Sequence, residues 1–336
     1  MDGKPGATSG VVAAPERRVI SVADAEKVFN NFGWANSVAE GKADFAAISK
    51  IQTGALLEES KARHARKNLH SIIRDGDTDF ARPVFVIPTE REQPGYPRSF
   101  VVFSKADAYV EDRATAVHHF VQAGPGGEWK AAATSWVYGA PVKAGAPPAR
   151  FLEGENLLMR EKEIAAPGTD VVAGAVFSSR AGEDRKACGR YGDYLSFTAP
   201  DGERESEYFV PGPLASGVVD AYNAKDELVD GLVRSSFAYA PSGGDLPVVR
   251  LAGGASLVTC TYVVSEHSEG KPGTKWFAFK KGGDTERMMG GSRHWKVADR
   301  RWAVTAVIEV PERGPADVVT VNSRGAELLS AEGTPY

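Results

Sequence analysis

The sequence is poor in the features that mark a familiar chemistry. Its 336 residues include two cysteines and six histidines, and these form no H-E-x-x-H pattern and no pair of clusters at metal-ligand spacing. It also lacks the G-x-S-x-G nucleophile elbow, a P-loop and a dinucleotide-binding glycine motif. We therefore predict no catalytic residues, no metal and no cofactor, and a protein that is not an enzyme.

Long apolar runs and an excess of one charge are missing as well. No stretch approaches the roughly eighteen consecutive apolar residues of a transmembrane helix. The net charge is -4, with both signs interspersed apart from a basic cluster at 61–67, and this excludes the electrostatic footprint of a nucleic-acid-binding protein. The length and a 42% hydrophobic content predict a globular protein of two domains.

The first residues are small, polar and rich in glycine and proline, and they contain no apolar stretch typical of a signal peptide. A segment of this composition cannot bury enough surface to order itself. One interpretation is a disordered tail on a cytosolic protein. The one we favour is the flexible tether of an exported lipoprotein, with a signal peptide and lipidated cysteine encoded just upstream of Met1.

A tryptophan pair occurs twice. Residues 129–136 and 295–302 both read W-K-x-A-x-x-x-W, lie nearly half a chain length apart, and hold four of the six tryptophans. The repeat predicts an internal duplication in which Trp129 superposes on Trp295 and Trp136 on Trp302. Because seven is an odd spacing, a bulge or turn between the two rings is needed to bring both to the core side of a strand.

The hydrophobic period changes from helical to strand-like within each half. In the first half, Ser21 and Asp24 predict a capped helix, and further elements follow: helices at 43–48 and 54–68, and strands at 82–88, 99–105, 114–122 and 128–137. In the second half we predict helices at 170–180 and within 213–233, and strands at 247–252, 255–265, 274–280, 292–298 and 302–310. Helices precede strands in both halves, which predicts an α+β fold rather than alternating βαβ units.

These elements divide the chain into a tether at 1–16, a first α+β domain at 17–145, a connection at 146–167, a second α+β domain at 168–325 and a C-terminal tail at 326–336. Residues 266–269 are predicted as an exposed hairpin loop rather than metal ligands, and residues 299–301 as a turn.

Two stretches carry a resemblance to known proteins. Residues 295–299 (WKVAD), and more weakly 129–132, follow helices and a strand meander, and this arrangement resembles the nuclear-transport-factor-like or cystatin-like fold. The resemblance implies two tandem cone-shaped units, each with helices followed by a curved antiparallel sheet. Residues 247–258 (PVVRLAGGASLV) are similar to a stretch in secreted lipoproteins of actinobacteria, which implies export and membrane tethering but no reaction.

A few residues remain as candidates for a site. The four tryptophans and His119 are candidate pocket or core aromatics, and core packing is the interpretation we favour. Tyr191, Asp193 and Tyr194 are read as aromatic packing, although isomerases on cone-shaped folds use such groups. Cys188 and Cys260 either form one disulfide, as in an exported protein, or remain buried thiols.

Together these observations predict a non-catalytic binding or scaffold protein outside the cytoplasm, secreted or held at the membrane only by a lipid anchor. Its expected partner is a small apolar ligand or a protein of the cell envelope, not nucleic acid. The alternative is an isomerase- or hydrolase-type enzyme with its site in one cone-shaped domain. An enzyme should gather perturbed ionisable groups in one pocket, whereas a scaffold should expose apolar surface, for instance between the halves.

Overall fold

The first half of the chain forms three helices followed by a four-stranded sheet. The computed structural model describes residues 17–42, 44–67, 80–106, 114–138, 177–224, 232–251, 254–291, 294–312 and 320–336. The first-half elements are α1 (Val22–Lys42), α2 (Phe45–Ile51), α3 (Gly54–Lys67), β1 (Phe80–Val86), β2 (Arg98–Ala106), β3 (Ala114–Gln122) and β4 (Trp129–Tyr138). The sheet is antiparallel in the order β1-β2-β3-β4.

Local sequence explains where these helices begin. The backbone N–H of Asp24 donates to Ser21 Oγ at 3.1 Å at the start of α1, and the N–H of Ala47 donates to Asp44 Oδ1 at 3.0 Å at the start of α2. Each bond satisfies one of the amide groups that a helix leaves free in its first turn. The buried side of α1 carries Phe29 and Phe32, which pack against Phe120 of the sheet.

The second half repeats this plan. Its elements are α4 (Ala181–Asp184), α5 (Lys186–Tyr194), α6 (Ser216–Asn223), β5 (Val233–Pro241), β6 (Val249–Arg250), β7 (Ser256–Gly270), α7 (Asp284–Met288), β8 (Trp295–Val310) and β9 (Thr320–Pro335). The antiparallel sheet has the order β5-β7-β8-β9, and the short β6 also pairs with β7. Helices α5 and α6 cover one face, where Tyr191 and Val219 pack against Tyr262 and Ile308.

The two sheets pack against each other through the faces that the helices leave open. Along β2, Phe100 and Val102 face the helices whereas Val101 and Phe103 face the second sheet, as the alternation of a strand requires. Val101 and Phe103 share a buried cluster with residues of the second half that include Val307. Helices α1 and α2, the two sheets, and helices α5 and α6 therefore form four successive layers, whereas α3 packs against β4 of the first sheet and against β8 and β9 of the second.

The α+β fold class with two tandem units is thus confirmed. The strands of the first half begin and end within two residues of their predicted positions, and β3 has the predicted bounds. None of the helices in the described ranges is long and apolar enough to span a lipid bilayer.

Charged residues caused two wrong predictions in the second half. The predicted hairpin loop at 266–269 lies within β7, and the predicted turn at 299–301 lies within the uninterrupted β8. The two charged stretches face each other across neighbouring strands, with Glu266 opposite Arg300 and His267 opposite Asp299. Both pairs are in contact through their side chains, so four of the polar residues that suggested loops have a partner across the sheet.

Other corrections concern the ends of elements. The predicted tail at 326–336 is wrong, since β9 continues to Pro335 and buries Leu328. Its serine, glutamate and glycine content suits an outer strand that has one exposed edge. Residues 177–180 are not helical, Val233 begins a strand rather than ending a helix, and the predicted strand at 274–280 makes a single bridge at Phe277. The tether at 1–16 and the connection at 146–167 lie outside the described residues.

Candidate binding groove

The two copies of the tryptophan motif begin strands at different positions in their sheets. Trp129 begins β4, the fourth strand of its sheet, whereas Trp295 begins β8, the third of the four main strands of its own, with β9 beyond it. The two tryptophans differ in their position within the sheet, and the superposition of Trp129 on Trp295 stays a prediction. A register shift does lie within each motif, at the pairing of β3 with β4 and of β8 with β9.

The tryptophans whose side chains the structure describes pack against protein. Trp129 is partly buried with its ring centroid 5.0 Å from that of Phe100, and Trp295 is buried beside Phe277 and Met289. Trp302 packs at the edge of the second core and donates its Nε1–H to Glu266 Oε2 at 3.1 Å. Trp136 lies in β4 opposite Ala116, and its side chain is outside the described part.

The adjacent histidines lie on opposite faces of β3. His118 faces the helices, where its Nε2 is 3.0 Å from Ser104 Oγ and its Nδ1 is 3.2 Å from Thr134 Oγ1. His119 lies between the sheets, with its Nε2 2.8 Å from Thr259 Oγ1 of the other half. Burial lowers the pKa of each imidazole to about 3, so both are neutral at physiological pH. His119 is thus a structural residue of the layer between the sheets and not a pocket residue.

The tyrosine and aspartate group on α5 does not converge on a common point. Tyr191 is buried and donates its hydroxyl to the carbonyl of Leu214 at 2.6 Å, whereas Tyr194 donates to the carbonyl of Arg204 at 2.8 Å. Asp193, between them, is exposed. The described residues also contain no group of three or more histidine, cysteine, aspartate or glutamate side chains that could hold a metal ion.

Cys188 and Cys260 form a disulfide with a Cα–Cα distance of 5.5 Å. It joins α5 to the central strand β7 and so fixes a helix to the outer face of the second sheet. The Tyr262 hydroxyl donates to the carbonyl of Cys188 at 2.7 Å and adds a second tie between the same two elements.

The open concave feature of interest lies between the halves, and we call it the inter-unit groove. Its volume is about 580 Å³, within the roughly 300–1,000 Å³ that small-molecule sites occupy. Its lining residues come from α3, from the turn after β5 and from strands β7, β8 and β9: Gly54, Ala55, Leu57, Glu58, Lys61, Ala62, Ala65, Ser242, Gly243, Val263, Arg301, Ala303, Leu329 and Ser330.

The surface of the groove is apolar at its base and charged at its rim. Ala62 of α3 and Ala303 of β8 line the groove and are both buried. At the rim, Lys61 lies 4.0 Å from Glu58 in an exposed ion pair, and the exposed Arg301 contributes a second cation. An apolar body with a polar or anionic group is the ligand chemistry that such a lining matches.

Several contacts hold α3 against the second half. Gly54 begins the helix with a φ of +57°, and a side chain at this position would approach the Ala132 carbonyl to 3.3 Å, so glycine fits the start of the groove wall. Further along, Arg63 lies 3.9 Å from Glu327 of β9. Thr305 of β8 donates to Glu59 Oε1 at 3.2 Å, and burial raises the pKa of that carboxyl although Arg63 opposes the shift.

The sequence led us to expect exposed apolar surface between the halves of a scaffold, but it did not predict a ligand groove there or its residues. The small side chains of Ala55, Ala62 and Ala65 recur at helical spacing on α3, which is the signal that could have marked this face of the helix. Arg301 was assigned to a turn, and the strand pairing that exposes it toward α3 depends on contacts between distant segments.

Comparison with known proteins found a match for the first unit only. A family model described as a domain of unknown function, DUF8094, matches residues 16–149. This segment contains α1 to α3 and β1 to β4, and with them one wall of the inter-unit groove. No curated protein and no solved structure matches the chain. The first unit is therefore similar to the family described by that model.

Proposed function

We propose that the protein is a non-catalytic binding protein outside the cytoplasm, held at the membrane by a lipid anchor or secreted, and that it takes up a small apolar ligand in the inter-unit groove. The observation that carries this proposal is the groove itself, built by α3 of one unit and the sheet of the other. Its volume and apolar base suit a compact ligand better than the broad flat contact of a stable protein complex.

The distribution of ionisable groups favours binding over catalysis. His118 and His119 are neutral and enclosed, and neither lines the groove. The buried Glu266 is already engaged by Arg300 and by the indole of Trp302. A general acid or base needs a titratable group within reach of a substrate proton, and these groups are committed to structural contacts away from the groove. The carboxylate that does line the groove, Glu58, is exposed and lies 4.0 Å from Lys61.

The disulfide supports the proposed location. Disulfides persist in oxidising compartments such as the bacterial periplasm and the cell surface, and they are rare in the cytosol. The bond between Cys188 and Cys260 is thus in keeping with export. Fractionation of cells that express the full gene checks the location, since recovery of the protein in the cytosol contradicts it.

Mass spectrometry of small molecules released from the purified protein tests the groove. We expect a bound apolar compound from the wild type and its loss from Ser330→Trp, because the exposed Ser330 lines the groove and an indole there fills the space. The control is Ala238→Trp, an exposed position of β5 outside the lining. Equal ligand content in the two variants, or no ligand in the wild type, would refute the proposal.

A further inference from the structure

Exposed apolar side chains gather at one end of the second sheet. The large hydrophobic residues that are strongly exposed in the described ranges are Trp34, Tyr96, Val210, Leu232, Trp276 and Tyr336. Leu232, Trp276 and Tyr336 lie together where β5 and β8 begin and β7 and β9 end. We call this surface, formed by Leu232, Lys275, Trp276, His294, Lys296 and Tyr336, the aromatic end.

The rings of the aromatic end are held in place by backbone hydrogen bonds. Phe277, next to Trp276, exchanges two backbone bonds of 2.9 and 2.8 Å with Trp295, and the N–H of Tyr336 donates to the carbonyl of His294 at 2.8 Å. The Trp276 ring stacks on the imidazole of His294 with centroids 3.7 Å apart. Trp276 is 43% exposed and Tyr336 is 62% exposed. Both rings therefore face solvent, although hydrogen bonds fix the backbone that carries them.

Cations accompany these rings. Lys275 and Lys296 are exposed, and neither has an acidic partner in the described ranges. Lys296 Nζ lies 5.5 Å from the centre of the Tyr336 ring. The exposed Glu269 is the penultimate residue of β7 and pairs with Val297, next to Lys296, whereas Glu332 lies farther along β9. Asp230, two residues before Leu232, is outside the described ranges. In the described ranges, two lysines flank Trp276 and Trp295 against the one glutamate at the end of β7, so cations are in excess beside the rings.

We infer that the aromatic end binds the surface of an anionic lipid bilayer. Tryptophan and tyrosine favour the boundary between headgroups and acyl chains, where their rings are buried and their polar atoms stay hydrated. A lysine near an anionic surface strengthens binding about fivefold. Three side chains at the end of a sheet expose much less area than the roughly 1,200 Å² of a stable protein interface. The contact orients the second unit at the membrane and does not depend on a ligand in the inter-unit groove.

Sedimentation with vesicles tests this inference on the whole protein. We expect the wild type to bind vesicles made of equal parts phosphatidylcholine and phosphatidylglycerol, and to bind phosphatidylcholine alone much more weakly. Trp276→Ala should weaken binding about tenfold, the effect of roughly 1.4 kcal/mol. Replacing both Lys275 and Lys296 by glutamine should weaken it by a similar or larger factor and remove most of its salt dependence.

The matched control is Trp34→Ala, which removes an indole that is 70% exposed on α1, away from the aromatic end. This variant should bind vesicles as the wild type does. A second readout is tryptophan fluorescence: brominated phosphatidylcholine in the mixed vesicles should quench the wild type, and Trp276→Phe should lose that quenching while still folding. Ser330→Trp should leave vesicle binding unchanged, which separates this inference from the proposed ligand site.

Three outcomes would overturn the inference. The first is an absence of wild-type binding to the mixed vesicles. The second is an equal loss of binding in Trp34→Ala and Trp276→Ala. The third is retention of the protein on an insoluble polysaccharide without vesicle binding, which would assign the exposed rings to glycan recognition.

Discussion

At the scale of single residues, the histidine pair shows how strand geometry gives neighbours different roles. His118 lies under the helices of the first unit and His119 lies between the sheets, because successive side chains of a strand point to opposite faces. The sequence alone predicts that the two separate. It does not predict which face is covered by a second sheet, since that cover comes from residues such as Thr259 in the other half.

Both imidazoles should make the fold sensitive to acid. In the unfolded chain a histidine takes up a proton below about pH 6.5, whereas burial holds the pKa of each folded imidazole at about 3. The unfolded state therefore binds more protons between these limits, so the free energy of unfolding falls as the pH decreases. Between about pH 7.5 and pH 5 we expect a loss of about 2 kcal/mol per imidazole, measured by urea titration.

His119→Gln checks the origin of this effect. Glutamine does not titrate, so the loss of stability between the two pH values should shrink by about 2 kcal/mol. His294→Gln, at an exposed position, is the control and should retain the full pH dependence. An unchanged pH dependence in His119→Gln would contradict the assignment.

At the scale of elements, the sequence predicted the first sheet well and the second poorly. The strands of the first half are 7 to 10 residues long and rich in apolar residues, and glycine or proline occurs between β1 and β2 and between β3 and β4, so local pattern is sufficient. Strands β7 and β8 run for 15 and 16 residues and carry charged residues in their interior. Those charges are compatible with strands only because they pair across the sheet, and such pairing is not visible from local sequence.

The disulfide between α5 and β7 should contribute substantially to stability. It closes a loop with a sequence separation of 72 residues, and a bridge of that length restricts the unfolded chain by about 4 kcal/mol in the chain-entropy model. Replacing both Cys188 and Cys260 by alanine should lower the free energy of unfolding by up to that amount, measured by guanidinium titration. Thiol titration of the denatured, unreduced wild type is the companion test, and two reactive thiols would disprove the bond.

At the scale of the whole molecule, the layer between the sheets makes the two units depend on each other. Val86, Val101, Phe103 and Val117 of the first sheet are buried against the second half. We expect the fragment 16–149, produced alone, to expose this face and to associate as its concentration rises, measured by light scattering.

The substitution Val101→Lys should improve the behaviour of the isolated fragment and destabilise the full chain. Val101→Lys places a charge on the exposed face of the fragment and should keep it monomeric, whereas in the full chain the same lysine is buried without a partner and should destabilise the fold by several kcal/mol. A fragment that stays monomeric without the substitution would show that the first unit does not need the second.

Because the inter-unit groove lies between the halves, a bound ligand would strengthen the association of the two halves. A molecule bound there touches α3 of one half and β8 of the other, so it adds a contact between halves that already meet through their sheets and through the side chains of α3. At a concentration one hundred times its Kd, such a molecule would raise the free energy of separating the two halves by about 2.7 kcal/mol. The free energy needed to separate the two halves would then rise with the concentration of the dissolved compound. This would require no reaction and no change in the helices that cover either outer face.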